Sequence, residues 1–297
     1  MCKLSQVSRS GYYNWLKSKD YRLIKDEEDR LDFKQILEAY NSGRRKKGVR
    51  SIYMWLLHKF DEDSEKYKIM NPKKIRRLMR KFKLYCPIRK ANPYRRMAKA
   101  MKSDNYAKNI VDREFKKEAR CVLLTDITYL KGSFGFVYMS SIKDAFTNEI
   151  LAYRLSKSLE VDFVLDTFQD LFKHHGRTLK TKETLIHSDQ GCHYTSIKFI
   201  DLMMKHEMVR SMSRRGNCWD NAPQESFHGH MKDEIDLVSC HNYEDVCKEI
   251  DDYINYYNNK RYQWGLAKLS PNEFYKYSLS GEYPLKVQKG NSVSIAA

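Results

Sequence analysis

Residues 183–189 have the sequence ETLIHSD, a short apolar run that is flanked by polar residues and ends in a carboxylate. A run of this length and composition is typical of a buried β-strand. The strand would bring Asp189 to its carboxyl end, and residues 190–196 would then form a turn and the N-cap of a helix. The sequence therefore predicts a strand that presents a carboxylate at one edge of a sheet.

Two further acids lie in elements that can reach the same point. Asp126 belongs to the apolar run of residues 121–130, and Glu225 lies on a helix that follows the Gly- and Asn-rich loop of residues 214–223. Carboxylate oxygens are the ligands that Mg²⁺ prefers. Two aspartates on strands and one glutamate on a helix are therefore predicted to converge and hold divalent metal.

The charge of the chain is distributed unevenly. The net charge is +17, and residues 1–120 contain 34 Lys and Arg against 15 Asp and Glu, whereas residues 121–297 contain 21 against 23. A basic half joined to a nearly neutral half is typical of a module that binds a polyanion, attached to a second module. A merely solvated basic surface is the alternative, and it does not explain the segregation.

The basic half has the periodicity of helices. Gly11 is predicted to end one short helix and begin another, and a helix over 73–82 is predicted to start at an N-cap, Asn71, followed by Pro72. Between these helices, four apolar residues recur on one predicted helix face: Leu31, Ile36, Leu37 and Tyr40.

Three segments resemble those of a known family. They are TDITYL at 125–130, HSDQGCHYTS at 187–196 and SMSRRGNCWDNAPQESFHGHMKDE at 211–234. They resemble the transposases of bacterial insertion sequences, within the retroviral-integrase superfamily. More narrowly, the chain is similar to the second-reading-frame (OrfB-type) product of the large two-frame insertion-sequence family, from about residue 5 to about residue 277.

The resemblance and the order of the predicted elements together imply the fold. Three antiparallel strands, then helix, strand, helix, strand and helix, is the order of the α/β ribonuclease-H-like integrase catalytic core, with its mixed five-stranded sheet and helices. A small all-α, helix-turn-helix-like domain is expected to precede it. The expected divisions are an N-terminal helical segment (1–22), the helix-turn-helix-like domain (23–86), a basic linker (87–118), the catalytic core (119–240), a C-terminal helical extension (241–280) and a flexible tail (281–297).

The resemblance also implies the reaction. A DNA transposase of this kind nicks the donor strand at the element ends and transfers the 3′-hydroxyl to another phosphodiester, without a covalent protein–DNA intermediate. Two Mg²⁺ ions, for which Mn²⁺ is expected to substitute, would assist this transfer. Asp126 is expected to bridge both ions, while Asp189 completes one metal site and Glu225 the other.

The DNA contacts are expected to come from the basic half and from the loop before Glu225. The predicted residues are Arg44, Arg45, Lys46, Lys47, Arg50, Lys74, Arg77, Arg80, Lys81, Arg95, Arg96, Arg214, Arg215, Asn217, Trp219 and Asn221. The expected partners are duplex DNA, as terminal inverted repeats and target, and further copies of this chain, at least a dimer. An upstream first-frame helix-turn-helix protein, separate or fused by frameshifting, is a further expected partner.

Several polar residues near these motifs can each have one of two roles. Asp144 fits a supporting role or a turn cap, and His187 and His193 fit contacts near the metal or packed positions. His228 and His230 are expected to face different sides of one helix and to form a poor metal pair.

Composition bounds the class of protein. No apolar run approaches the roughly 20 residues that span a bilayer, so no membrane segment is expected, and the expected location is the bacterial cytosol and nucleoid. Seven scattered cysteines without a CxxC pair predict reduced thiols and no zinc cluster. Two other function classes stay open: a non-catalytic DNA-binding regulator, and a nuclease that cleaves RNA–DNA hybrids.

Overall fold

The computed structural model describes residues 7–42, 47–86, 107–112, 114–115, 118–214 and 218–286. The chain divides into two compact units, Met1–Pro87 and Ile88–Ala297. In the described parts of the chain, no helix combines the length and the apolar composition needed to cross a membrane.

The first unit is helical. Its helices are α1 (Arg9–Lys17), α2 (Lys19–Asn41), α3 (Val49–Glu62) and α4 (Pro72–Lys81). The predicted start of α4 is confirmed, because the Asn71 side chain accepts a hydrogen bond from the Lys73 backbone N–H. The prediction that Gly11 ends a helix is wrong: Ser8 caps α1 by accepting from the Gly11 N–H, so Gly11 lies within the first turn.

Helix α2 buries a different face from the one that its apolar spacing predicts. Ile36 is fully buried as expected, but Leu31 and Leu37 are 54% and 39% exposed. The positions that turn inward one and two turns before Ile36 are instead Asp32 and Asp29, which are only 7% and 3% exposed. The spacing of apolar residues therefore predicts the wrong buried face of α2, because two of the buried positions are occupied by acids.

Basic side chains of α4 form ion pairs with these buried acids. Both terminal nitrogens of Arg77 donate to the Asp29 carboxylate, at 2.8 and 2.6 Å, and Lys81 Nζ donates to it at 2.8 Å. Lys74 forms an ion pair with Asp32. The hydrogen bond from Arg77, supported by Lys81, holds the pKa of Asp29 far below its usual value. Buried carboxylates are tolerated here because each one is paired.

The second unit is built on a mixed five-stranded sheet, as predicted. Its strands are β1 (Val122–Gly132), β2 (Gly135–Asp144), β3 (Ile150–Ser156), β4 (Leu185–Ser188) and β5 (Val209–Met212). The strand order is β3-β2-β1-β4-β5, in which the β1–β2 and β2–β3 pairs are antiparallel and the β1–β4 and β4–β5 pairs are parallel. The helices are α5 (Val161–His175), α6 (Cys192–Thr195), α7 (Ile197–Lys205), α8 (Ala222–Glu234), α9 (Tyr243–Lys260) and α10 (Pro271–Ser280).

The sheet has helices packed on both faces. Ile142 of β2 belongs to a core cluster with Phe168 of α5 and Phe199 of α7. Met139, an odd number of positions away on the same strand and therefore on the opposite face, belongs to a second cluster with Phe227 of α8 and the inward side chains of α9. This second cluster fixes α8 against the sheet.

We predict that Asp29→Asn weakens the helical unit by about 1–3 kcal/mol, because it removes charged hydrogen-bond acceptors from Arg77 and Lys81. Hydrogen exchange of the α2 and α4 amides in the full chain measures this loss. The pKa of Asp29 is lowered on folding, so its stabilisation is complete above the usual value of 3.8 and is lost as the pH falls through the lower folded value. Glu28→Gln, on the neighbouring exposed residue, is the control, and equal loss in both variants would contradict the assignment.

Candidate active site

The sheet brings Asp126 and Asp189 to the same edge. Parallel pairing of β1 with β4 sets Leu123 opposite Ile186 and Leu124 opposite His187. The same offset, continued by two residues, sets Asp126 level with Asp189 just beyond the end of β4. Both carboxylates are also held by backbone donors: Asp189 Oδ1 accepts from the Gly191 N–H at 2.9 Å, and Asp126 Oδ1 from the Ile127 N–H at 2.8 Å.

The electrostatics of this pair favour a cation. Burial, and then the negative charge of Asp126, raise the pKa of Asp189, while the Gly191 N–H and His193 offset part of the rise. Two carboxylates that share a poorly solvated site repel each other, and a bound cation relieves both the repulsion and the desolvation.

Helix α8 is attached directly beside Asp126. Ser141 is the β2 partner of Asp126. Its Oγ accepts from Gln224 Nε2 at 2.7 Å and lies 3.0 Å from His228 Nε2, while His228 Nδ1 lies 3.5 Å from Asp126 Oδ2. Gln224 and His228 flank Glu225, which is exposed in the first turn of the helix. Glu225 is therefore carried by the first turn of α8, between two residues whose side chains bind Ser141 or contact Asp126.

The start of α8 is fixed by two buried polar groups. Lys143 Nζ donates to the Pro223 carbonyl at 2.6 Å, and burial lowers the pKa of Lys143 to about 7. Asn221 Nδ2 donates to the carbonyl of Thr125, the residue before Asp126, at 3.4 Å. The Asn221 side-chain oxygen is buried without a hydrogen-bond partner in the described chain. An amide oxygen without a partner, on a side chain held at the residue before Asp126, is a ligand type that suits Mg²⁺ or the waters that Mg²⁺ retains.

The three acids are nevertheless not closed into a cage. Among the residues that the structure describes, no three His, Cys, Asp or Glu side chains are close enough together to hold a metal ion. The structure brings the two aspartates together and places Glu225 on the helix attached to Asp126.

Asp220 connects the loop before α8 to the segment that precedes β1. Its carboxylate accepts from Arg214 Nε at 2.9 Å, from the Arg214 backbone N–H at 3.0 Å, and from Asn109 Nδ2 at 3.1 Å. Asp220 is almost fully buried. Asp220 lies five residues before Glu225. Its hydrogen bond from Asn109 therefore connects residues 107–112 to the residues just before α8.

Asp144, His187 and Glu234, which lie near these motifs, have structural partners. Asp144 is fully buried and accepts from Arg120 Nη1 at 3.0 Å and Thr147 Oγ1 at 3.0 Å, so it locks the β2–β3 turn. His187 lies between two serine hydroxyls of the β5 region, at 3.0 and 3.1 Å, as a packed strand histidine. Glu234 pairs with Arg261 at 2.7 Å.

The predicted DNA-contact residues are found in several environments. Lys47 is buried, with its Nζ donating to the Ala39 carbonyl at 3.1 Å, and Arg50 and Arg80 are exposed. Asn221 is buried, and Arg214 is exposed but paired with Asp220. The others of α4, which are Lys74, Arg77 and Lys81, pair with acids of α2. Outside the described residues and side chains lie Arg44, Arg45, Lys46, Arg95, Arg96, Arg215, Asn217 and Trp219.

Sequence reasoning missed four residues of this site: Ser141, Lys143, Gln224 and His228. One signal was present for His228, because it lies three residues after Glu225 and therefore on the same side of a helix. The other three depend on which residue of β2 pairs with Asp126, and the sequence does not reveal that register.

Comparison with known proteins agrees with this architecture. Residues 26–92 match the model of an HTH-like domain, and residues 117–218 and 225–279 match two models described as integrase core domain. A transposase-like protein of Haemophilus influenzae is 33% identical over 215 residues, which are 71% of this chain and 95% of that protein. The chain belongs to the insertion-element transposases.

Other relatives extend the similarity along the chain. The transposase for insertion sequence element IS904 of Lactococcus lactis is 32% identical over 215 residues, or 70% of this chain and 81% of that protein. The putative transposase InsK for insertion sequence element IS150 of Escherichia coli is 29% identical over 276 residues, or 92% of each chain. The HTLV-2 integrase catalytic core domain, solved in complex with magnesium, aligns with a TM-score of 0.43 at 14% identity, covering 53% of this transposase chain and 97% of that domain.

The matches to the family models identify both parts of the fold. The mixed sheet with its helices is the ribonuclease-H-like integrase core, and an all-helical, HTH-like region precedes it.

We predict that His228→Gln lowers the rate of strand transfer by about 10- to 100-fold, because the substitution removes the ring that contacts both Asp126 and Ser141. His230→Gln, two residues along α8 on an exposed position, is the matched control. Rates are measured on a pre-nicked DNA end at equal protein stability, checked by thermal unfolding. Equal rates for the two variants would show that the contact with Asp126 has no role in the reaction.

Proposed function

We propose that this chain catalyses Mg²⁺-dependent nicking at the ends of its element and transfer of the freed 3′-hydroxyl to another phosphodiester. The observation that carries the proposal is the parallel pairing of β1 with β4, which sets Asp126 level with Asp189, beside a helix that bears a third acid. The integrase core matches support the same reaction class.

Each acid has a stated role in the proposal. Asp126, Asp189 and Glu225 would hold the two Mg²⁺ ions, with Asp126 contributing to both sites, Asp189 to one and Glu225 to the other. Bound metal would neutralise charge on the transferring phosphate and favour ionisation of the attacking hydroxyl. The described acids are not close enough together to form a metal site by themselves. Glu225 is the proposed ligand that lies on a helix, and its position depends on the contacts of Gln224 and His228 that hold α8.

The two chemical steps are direct displacements at phosphorus. In the first, water attacks the phosphodiester at the element end, one P–O bond forms as another breaks, and a DNA 3′-hydroxyl leaves. In the second, that hydroxyl attacks another phosphodiester, so one phosphodiester is made for each one broken. Both nucleophiles come from water or DNA, and therefore no covalent protein–DNA intermediate is required.

The protein side chains orient the acids during these steps. His228, which is itself held by Ser141, restricts the Asp126 carboxylate, and the Gly191 N–H restricts Asp189. Lys143 holds the first turn of α8 through the Pro223 carbonyl. Side chains held in this way lose little freedom when substrate binds, which preserves the geometry of the reaction.

The proposed partners follow from the reaction. Two DNA ends must be held together, so we propose at least a dimer of this chain on terminal inverted repeats and target duplex. The first-frame helix-turn-helix protein, separate or fused, is a proposed further partner.

We predict that Asp189→Asn and Glu225→Gln each lower strand transfer by roughly 10³-fold or more, since each removes a metal ligand. The assay joins a labelled, pre-nicked element end to a second duplex in Mg²⁺, and then in Mn²⁺. Asp233→Asn, eight residues further along α8, is the control that should stay active. Joined product from Glu225→Gln would exclude Glu225 as the third ligand. Bound DNA without product in the wild type would instead favour a regulator or a missing first-frame partner, and cleavage confined to RNA–DNA hybrids would favour the nuclease.

A further inference from the structure

Helix α4 carries its cations in two separate rows. Residues three and four apart share a face of a helix, so the basic residues of α4 fall into one row of Lys74, Arg77 and Lys81 and an adjacent row of Lys73, Arg76 and Arg80. The buried residues of α4, which are Ile75, Leu78 and Met79, form the third face. Lys83 follows in the turn just after the helix.

The first row is neutralised within the protein. Arg77 binds both oxygens of Asp29, and Lys81 lies between Asp29 and Asp26 at 2.8 and 2.6 Å. Lys74 pairs with Asp32. Three cations therefore face three acids of α2, two of which are almost fully buried. We call this first row the latch, because it joins α4 to α2.

The second row has no such partners. The side chains of Lys73, Arg76, Arg80 and Lys83 are exposed, and none of them forms an ion pair or hydrogen bond with the part of the chain that the structure describes. We call these four residues the open row. Like charges one helical turn apart repel each other, and that repulsion is relieved when a polyanion binds.

The dimensions of the open row suit a phosphate backbone. From Lys73 to Arg80 the helix rises roughly 10 Å, and successive phosphates of one DNA strand advance by roughly 3.4 Å along the duplex axis. The helix face therefore spans about three such steps, so its three cations can reach phosphates within a stretch of about four. Latch cations would first have to leave buried acids, which makes them poor phosphate ligands.

We propose that the open row is the surface of α4 that binds the phosphates of duplex DNA, and that the latch has a structural role only. The inference rests on the proposed function, because it takes the HTH-like domain to bind DNA. It keeps Arg80 among the predicted contacts, adds Lys73, Arg76 and Lys83, and gives Lys74, Arg77 and Lys81 a different role.

Two triple variants of the full chain test this assignment at equal change of net charge. One is Lys73→Gln, Arg76→Gln and Arg80→Gln, and the other is Lys74→Gln, Arg77→Gln and Lys81→Gln. Affinities for an element-end DNA duplex and for an RNA duplex of the same length are measured by fluorescence anisotropy over a series of salt concentrations, together with the melting temperature. Each lost phosphate contact lowers the slope of log affinity against log salt by about 0.9.

The open-row variant should lower that slope by roughly 3 with an unchanged melting temperature. The latch variant should lower the melting temperature and keep the wild-type slope. Where the latch triple unfolds at the assay temperature, Lys81→Gln alone serves as the control, because it leaves Arg77 on Asp29.

Three results would overturn the assignment. If the open-row variant kept the wild-type slope of log affinity against log salt, or if both variants lost the slope equally, the two rows would not differ in their role. DNA binding by the wild-type chain would still stand. Loss of binding to duplex RNA but not to duplex DNA would assign the row to the wrong nucleic acid. Absence of salt-dependent DNA binding by the wild-type chain would instead reject the proposed function itself, and the two failures are therefore distinguishable.

Discussion

The parallel pairing of β1 with β4 is the constraint on which the rest of the site depends. Paired residues of β1 and β4 are 63 positions apart in the chain, as Val122 and Leu185 are, yet their register sets Asp126 level with Asp189 at one edge of the sheet. The antiparallel partner β2 then supplies Ser141 directly beside Asp126, and Ser141 binds α8 through Gln224 and His228. A slip of one residue in either pairing would turn these side chains to the opposite face.

Buried charge organises both units of the chain. In the helical unit, Asp29 and Asp32 take core positions of α2 and are matched by cations of α4. In the unit that contains the sheet, the Asp220 carboxylate accepts hydrogen bonds from Arg214 and Asn109. Buried ion pairs of this kind add little net stability but leave few alternative arrangements, because a displaced partner would leave a charge unpaired.

The sequence predicted the order of strands and helices along the chain and the N-cap of α4, because local periodicity and capping determine those features. It failed at α2, where Leu31 and Leu37 are exposed, because the acids that replace them in the core are buried only through cations some 45 residues away. The proposed acids were recognised from motifs. The residues that position these acids were not recognised. Ser141, Lys143 and His228 come close to the acids or to α8 only through the strand register and the packing of α8 on the sheet.

Mapping of metal-directed backbone cleavage tests the central claim most directly. Fe²⁺ is substituted for Mg²⁺ in the complex of the full chain with an element-end duplex, and hydroxyl radicals generated at the metal cut the nearest polypeptide. Convergence of three carboxylates predicts cuts close to Asp126, Asp189 and Glu225 that excess Mg²⁺ suppresses. Cuts near the two aspartates without any near Glu225, or cuts in other parts of the chain that Mg²⁺ suppresses equally, would contradict the account.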